Sequence, residues 1–314
     1  MISALNPGTE SQPLERRCPV CRFERHELYL RKGDLLLVQC GRCEMIYASP
    51  VAGSLVSGYF YRQTAVPYYL SETKREGDYA VVRFQRELQL LRSYCPRGSV
   101  LDVGCSTGGF LFQLKQRFGS AYQGLGMDLV QDALAYAESK GVMVRRGDFL
   151  EEDFQGQNFD SVTFWAVLEH LMDPDAFLSK AAQVLRSGGF CFVLVPNIGS
   201  LAVRILGSRY RYLFSQHVNY FTKKTLAKLA ERYFRIVKIT STHFNPLVIV
   251  QDLRRREGLV PDAERAQLLE KTNAYKSNPL LWPLRLAYRG CESLLGQVGL
   301  ADNLVAVLQK TTRS

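Results

Sequence analysis

Four cysteines near the start of the chain, Cys18, Cys21, Cys40 and Cys43, stand as Cys-x2-Cys-x18-Cys-x2-Cys. Two cysteines separated by two residues share a tight turn that points both sulfurs at one place, and two such knuckles complete a tetrahedron of thiolates around Zn2+. Pro19 lies inside the first knuckle and Gly41 inside the second, and residues 35–39 (LLLVQ) read as a strand leading into the second. A redox Cys-x-x-Cys pair is the other chemistry open to this spacing, and the doubled motif argues against it. Four thiolates leave the metal no open position, so its expected role is structural. The other four cysteines (Cys95, Cys105, Cys191 and Cys291) are scattered and form no framework.

A second concentration of chemistry is Asp102-Val103-Gly104-Cys105-Ser106-Thr107-Gly108-Gly109. A dinucleotide fold needs Gly-x-Gly-x-x-Gly so that backbone can approach a pyrophosphate. Here the glycines are differently spaced and a carboxylate precedes them, which suits a cationic ligand. The histidines number four. His26 falls in the cysteine-rich segment, and His243 follows an expected strand at 234–242 and reads as structural. His170 follows Glu169 just past an expected strand at 159–165. His217 sits in FSQHVNYFT, a loop ahead of a helix start at Thr222. An imidazole titrating near neutrality in such a loop can accept a proton, contact substrate or cofactor, or staple the loop.

The elements that must position these groups alternate. Strands are expected at 99–103, 122–127, 142–145, 159–165 and 190–195, with helices at 110–118, 131–140 and 174–185 between them. That order implies a parallel sheet covered on both faces, with a ligand site at the carboxyl ends of its strands. Helical spacing over 79–94 and the aromatic runs at 59–61 and 67–69 suggest a connecting helix behind an aromatic lid. Residues 248–299 read as helical, and residues 303–309 as a last strand.

The segment VLDVGCSTGG resembles the first motif of class I S-adenosylmethionine-dependent methyltransferases, and further signals follow in order. Asp128 ends the second strand, Gly147-Asp148-Phe149 follows the third, residues 159–170 resemble the family's fourth strand and turn, and Gly188-Gly189 precedes the fifth. The resemblance implies an α/β, Rossmann-like seven-stranded sheet with helices on both faces, preceded by the zinc ribbon. It implies S-adenosylmethionine as cofactor, held around Asp102, Gly104, Cys105 and Gly108, with Asp128 on the ribose, Asp148 and Phe149 at the adenine, and Trp165 at the fourth strand's end. His217, and secondarily His170, are the candidate catalytic groups. Expected divisions are 1–50 (ribbon), 51–95 (linker and lid helix), 96–247 (core), 248–299 (helical insertion) and 300–314 (final strand).

Zinc-ribbon methyltransferases of this organisation resemble enzymes of sugar-nucleotide, polysaccharide and secondary-metabolite pathways, some of which methylate carbon with a histidine base. The expected acceptor is therefore a sugar nucleotide or a glycan or lipid precursor, methylated on oxygen or carbon. Charge points the same way. The 314 residues carry a net +10, and positions 199–256 hold 12 basic and 2 acidic residues. Such a surface concentrates anionic partners, and Arg204, Arg209 and Arg211 are placed to hold a phosphate. An RNA methyltransferase using the ribbon and Arg254-Arg255-Arg256, and a non-catalytic scaffold, are the rival readings. With no apolar run long enough to span a bilayer and no secretory pattern, the expected compartment is the cytoplasm. An apolar stripe around Trp282, within 278–298, suggests a pocket wall, a dimer face or peripheral membrane contact.

Overall fold

The computed structural model describes residues 13–56, 67, 70–254 and 282–311, with backbone alone at 282–287 and 289. The chain begins with an antiparallel meander of β1 (His26–Lys32), β2 (Leu35–Cys40) and β3 (Ile46–Ala48). The β1–β2 turn runs through Gly33, whose positive φ of 56° suits a two-residue hairpin loop. After α1 (Gly53–Val56) come α2 (Glu72–Tyr79) and α3 (Gln85–Tyr94). The single helix expected over 79–94 is thus a break followed by one helix. Ala80 is extended, and the end of α2 is tied to the glycine turn, Tyr79 donating from its hydroxyl to the Thr107 carbonyl (2.6 Å) and accepting from Gln113 Nε2 (2.8 Å).

Strands and helices then alternate as expected: β4 (Gly98–Val103), α4 (Gly109–Phe118), β5 (Tyr122–Asp128), α5 (Gln131–Ser139), β6 (Val144–Arg146), β7 (Phe159–Trp165), α6 (Pro174–Val184) and β8 (Leu185–Pro196). Asp173 caps α6 by accepting from the Ala176 amide, and Pro174 fits its first turn. The remainder is α7 (Leu201–Leu206), β9 (Asn219–Tyr220), α8 (Lys223–Ala230), β10 (Phe234–Thr242), α9 (Pro246–Leu253), α10 (Trp282–Gln297) and β11 (Asn303–Lys310).

The main sheet has seven strands in the order β10-β11-β8-β7-β4-β5-β6, parallel from β8 to β6, with β11 alone running antiparallel between β8 and β10. This is the Rossmann-like methyltransferase architecture that the motifs imply. The strand order reverses between β4 and β7, which opens a crevice at their carboxyl ends. Both faces are buried: Leu88, Leu91 and Phe110 pack with Val100 on one, and Phe149, Phe177 and Leu178 with Val162 and Phe164 on the other.

The cysteine-rich meander is not a free-standing bead. Strand β9, from the loop after β8, completes its sheet in the order β1-β2-β3-β9, with Ile46 opposite Tyr220 and Tyr47 opposite Asn219. Val20, Met45 and Tyr47 belong to the same buried cluster as Leu101, Phe164 and Phe221. No helix among the described residues is long and apolar enough to cross a membrane. The stripe around Trp282 falls on positions whose side chains lie outside the described residues.

On the far side of this joint, α9 is locked to the loop after α7. Arg211 (4% exposed) donates from Nε and Nη2 to Asp252 (fully buried) at 3.0 and 2.6 Å. Removing one member of a buried pair strands the other charge and costs about 3–5 kcal/mol. Asp252→Ala is accordingly expected to lower unfolding stability by about that amount in urea titration. A loss under about 1 kcal/mol contradicts the buried pair.

Candidate active site

The carboxyl ends of β4, β5, β7 and β8 open into a cavity of about 590 Å3. Its floor is the turn after β4. Gly104 has φ +72°, and a Cβ there would come within 2.7 Å of Val167 Cγ2, so only glycine fits. Gly104 and Cys105 both donate their amides to the Met127 carbonyl (2.7 and 3.1 Å), folding the turn over the end of β5. Gly108 lies behind the wall, packed toward Ala137 and Val142; of the expected cofactor residues it alone does not line the cavity.

Asp102, at 3% exposure, accepts from Thr163 Oγ1 at 2.6 Å. Burial pushes its pKa up to about 7, with the Asp128 charge adding to the effect and the threonine bond opposing it. Asp128 accepts from the Ser106 and Val130 amides at 2.8 and 3.0 Å, which partly offsets the upward push of burial. Asp148 is exposed at the rim and holds its loop by accepting from the Leu150 amide, while Phe149 beside it is buried against Phe164 and Phe177. Trp165 stands over Phe110 with ring centroids 5.3 Å apart. Trp165 Nε1 and Ser106 Oγ are buried with no hydrogen-bond partner among the described residues. A cradle of acids and one glycine, with donor atoms unanswered, fits a polar cationic nucleoside.

Both candidate histidines line the same cavity. The rings of His170 and His217 are 4.7 Å apart, and His217, 5% exposed, packs on Phe214 at 4.0 Å. Nδ1 of His170 faces the Gln216 carbonyl (2.9 Å) and Nδ1 of His217 the Tyr212 carbonyl (3.2 Å). A carbonyl only accepts, so each ring carries its proton on Nδ1 and Nε2 is its basic atom. Glu169, 1% exposed, has Oε2 without a partner among the described residues, and burial raises its pKa to about 8. Glu169, His170 and His217 each bring a ligand-capable atom within 4.8 Å of the others. Such a trio can pass a proton or hold a divalent cation.

Sequence reasoning missed part of the wall. Lys74 and Asp78 on α2, Phe84 at the start of α3 and Glu87 on α3 reach the cavity, and His243, read as structural, lines it together with Asp302. The arginines chosen for a phosphate do not. Arg211 is consumed by Asp252, and Arg204 and Arg209 stand outside the lining. Charge alone cannot reveal that a cation is already paired. Of the triple-arginine run, Arg254 is on the surface, and the other two lie outside the described residues.

At the other end of the chain the four cysteines converge, all free thiols with sulfurs within 4.8 Å of one another. Cys18–Cys43 and Cys21–Cys40 separations are 3.4 and 3.5 Å. These are far beyond a disulfide bond and close to the edge of roughly 3.8 Å of a tetrahedron with metal–sulfur bonds near 2.3 Å.

Because Asp102 titrates higher folded than unfolded, its contribution to stability is full below about pH 4 and is lost as pH rises toward 7. Relative to Asp102→Asn, the ligand-free wild type is expected to lose stability over that window, by up to about 1.4 kcal/mol per pH unit. Thermal melts from pH 4 to 8 check this; a constant difference between the two proteins contradicts it.

Residues 75–237 match the family model described as a methyltransferase domain. An uncharacterised protein of Methanocaldococcus jannaschii is 24% identical over 196 residues, covering 60% of this chain and 90% of that one. The ubiquinone biosynthesis O-methyltransferase of Salmonella enteritidis is 29% identical over 164 residues, covering 47% of this chain and 66% of its own length. Among solved structures, a phosphoethanolamine N-methyltransferase of Haemonchus contortus in complex with S-adenosyl-L-methionine superposes with a TM-score of 0.51 at 17% identity, covering 85% of this chain and 63% of that one. With its matched domain spanning more than half its length, its acid-and-glycine turn and its seven-stranded sheet, the chain belongs to the class I S-adenosylmethionine-dependent methyltransferases.

Proposed function

We propose that the chain transfers a methyl group from S-adenosylmethionine to a hydroxyl of a small molecule, a sugar nucleotide or a glycan or lipid precursor. The observation that carries this reading is that the His170–His217 pair and the acid-lined glycine turn line one and the same cavity. Bound there, S-adenosylmethionine supplies a methyl group already activated by its sulfonium. Asp128, Asp102 and Asp148 hold the cofactor, and Phe149 and Trp165 cover its apolar surfaces. His217 Nε2 takes the proton of the acceptor hydroxyl, while His170 and buried Glu169 hold the ring in place. Alignment is the larger part of the task, and proton removal adds typically 10²–10⁴-fold. The resemblance of this chain to a relative named as an O-methyltransferase supports oxygen over carbon as the methylated atom.

The four cysteines hold one structural Zn2+. Burial raises the pKa of the Cys18 and Cys43 thiols, whose protons a bound dication would displace to leave thiolates. A reducing cytoplasm keeps such thiols available.

Calorimetric titration with S-adenosylhomocysteine tests the core of the reading. Asp128→Ala is expected to weaken binding by tenfold or more, about 1.4 kcal/mol. His217→Ala should bind normally yet turn over about 10²–10⁴ times more slowly. Absence of binding by the wild type removes the methyl-transfer reading, and near-normal turnover by His217→Ala removes the base. Atomic absorption should find one zinc per chain. Because β9, from the segment that follows β8, completes the meander's sheet, and Val20, Met45 and Tyr47 share one buried cluster with Leu101 and Phe164, Cys40→Ser should lose the metal and lower the melting point of the whole protein. An unchanged melting point in metal-free protein contradicts the structural role.

A further inference from the structure

The wall of the cavity formed by Glu87 and Asp302 holds an incomplete hydrogen-bond account. Glu87 on α3 is 4% exposed and Asp302, just before β11, is 9% exposed; both line the cavity. Glu87 Oε2 and Asp302 Oδ1 are shut from solvent and accept from no donor among the described residues. Buried polar atoms in native proteins are nearly always paired, and one left unpaired costs about 1–3 kcal/mol.

His243 joins the two carboxylates. Its Nε2 lies 3.7 Å from Glu87 Oε1, and its carbonyl accepts from the Asp302 amide at 2.7 Å. Asp302 Oδ2 in turn accepts from the Asn245 amide at 2.9 Å. His243 is held at φ +58°, a left-handed conformation that residues with side chains seldom adopt and that clusters at ligand sites. The Tyr288 hydroxyl donates to the Phe244 carbonyl and sets its ring on the same wall.

The charge of the lining decides what this wall can accept. Seven acidic side chains line the cavity against two cations, Lys74 and Arg83, and both cations lie beside Asp78; burial leaves Asp102, Asp302 and Glu169 partly protonated near neutrality, and the balance stays acidic as pH rises. Arg86, next to Glu87, is taken by Glu292. An ionised carboxylate oxygen only accepts, so above the titration of Asp302, which burial raises to about 7, the missing partner is a donor and an anionic group is repelled.

We propose that Glu87, His243 and Asp302 form a subsite for the non-anionic, donor-bearing head of the acceptor, taking its hydroxyl or ammonium groups and leaving any phosphate outside the cavity. The word acceptor rests on the methyl-transfer reading; the binding chemistry does not. The test is saturation-transfer NMR of the full chain, with and without S-adenosylhomocysteine, using glucose, glucosamine and glucose 6-phosphate as matched probes.

Glucose and glucosamine are expected to receive saturation, with glucose 6-phosphate at least tenfold weaker. A stronger signal from glucosamine assigns the site to ammonium, and equal signals assign it to hydroxyls. In the double variant Glu87→Gln, Asp302→Asn both signals should fall at least tenfold while S-adenosylhomocysteine still binds. Equal binding of glucose 6-phosphate, or silence from all three probes, overturns the subsite. The wild-type ranking decides the question even if the double variant does not fold. Probe binding without S-adenosylhomocysteine binding upholds the subsite and removes the methyl-transfer reading.

Discussion

The Arg16 guanidinium holds the two parts of this molecule in register. It is 7% exposed and donates to the Val218 and Met172 carbonyls (both 2.9 Å) and to Asn219 Oδ1 (3.1 Å). Asn219 Nδ2 passes the connection on to the carbonyls of Leu168 and Leu171 at 2.8 and 2.6 Å, and the Val218 amide donates to the Glu169 carbonyl at 2.8 Å. Those carbonyls flank Glu169 and His170, and Val218 follows His217. One cation near the cysteine knuckles therefore ties down both strands of backbone that carry the histidine pair. Burial pulls its pKa down to about 10, still far enough above neutrality to keep it charged.

The cavity contrasts two ways of burying acid. In the cofactor half, Asp102 has a threonine and Asp128 two backbone amides, so each carboxylate is held in position before any ligand arrives. In the other half, Glu169, Glu87 and Asp302 each keep one oxygen unanswered among the described residues. A satisfied carboxylate is rigid and shapes a site, whereas an unsatisfied one raises the free energy of the empty site and favours whatever completes it. The first arrangement keeps its shape without a ligand, and the second gains most from one.

The parts of this arrangement that were legible in the sequence are those enforced locally. The glycine turn, the acid at the end of β5 and the paired knuckles are each short stretches whose geometry follows from their own residues. Helix boundaries at Asp173-Pro174 and Thr222 were readable because capping is also local. What escaped depends on distant partners. Strand β9 is two residues long, too short to show any periodicity, and exists only because β3 lies beside it. Arg211 resembles any other basic residue until Asp252 is seen against it, and the wall formed by Glu87 and Asp302 joins positions 215 apart. His243 carries no motif at all; its backbone conformation marks it, and that is invisible in a string of letters.

The bond from Arg16 to Asn219 spans 203 positions. Loop-closure entropy must be overcome before contacts this remote give any return, so topologies built on them form late. During synthesis the knuckles emerge first and can gather their metal at once, yet β3 has an open edge until some 170 further residues have left the ribosome. An open edge is a template for pairing with another chain. The nascent polypeptide thus carries an adhesive strand until β9 emerges, and the segment that finally covers it also delivers His217.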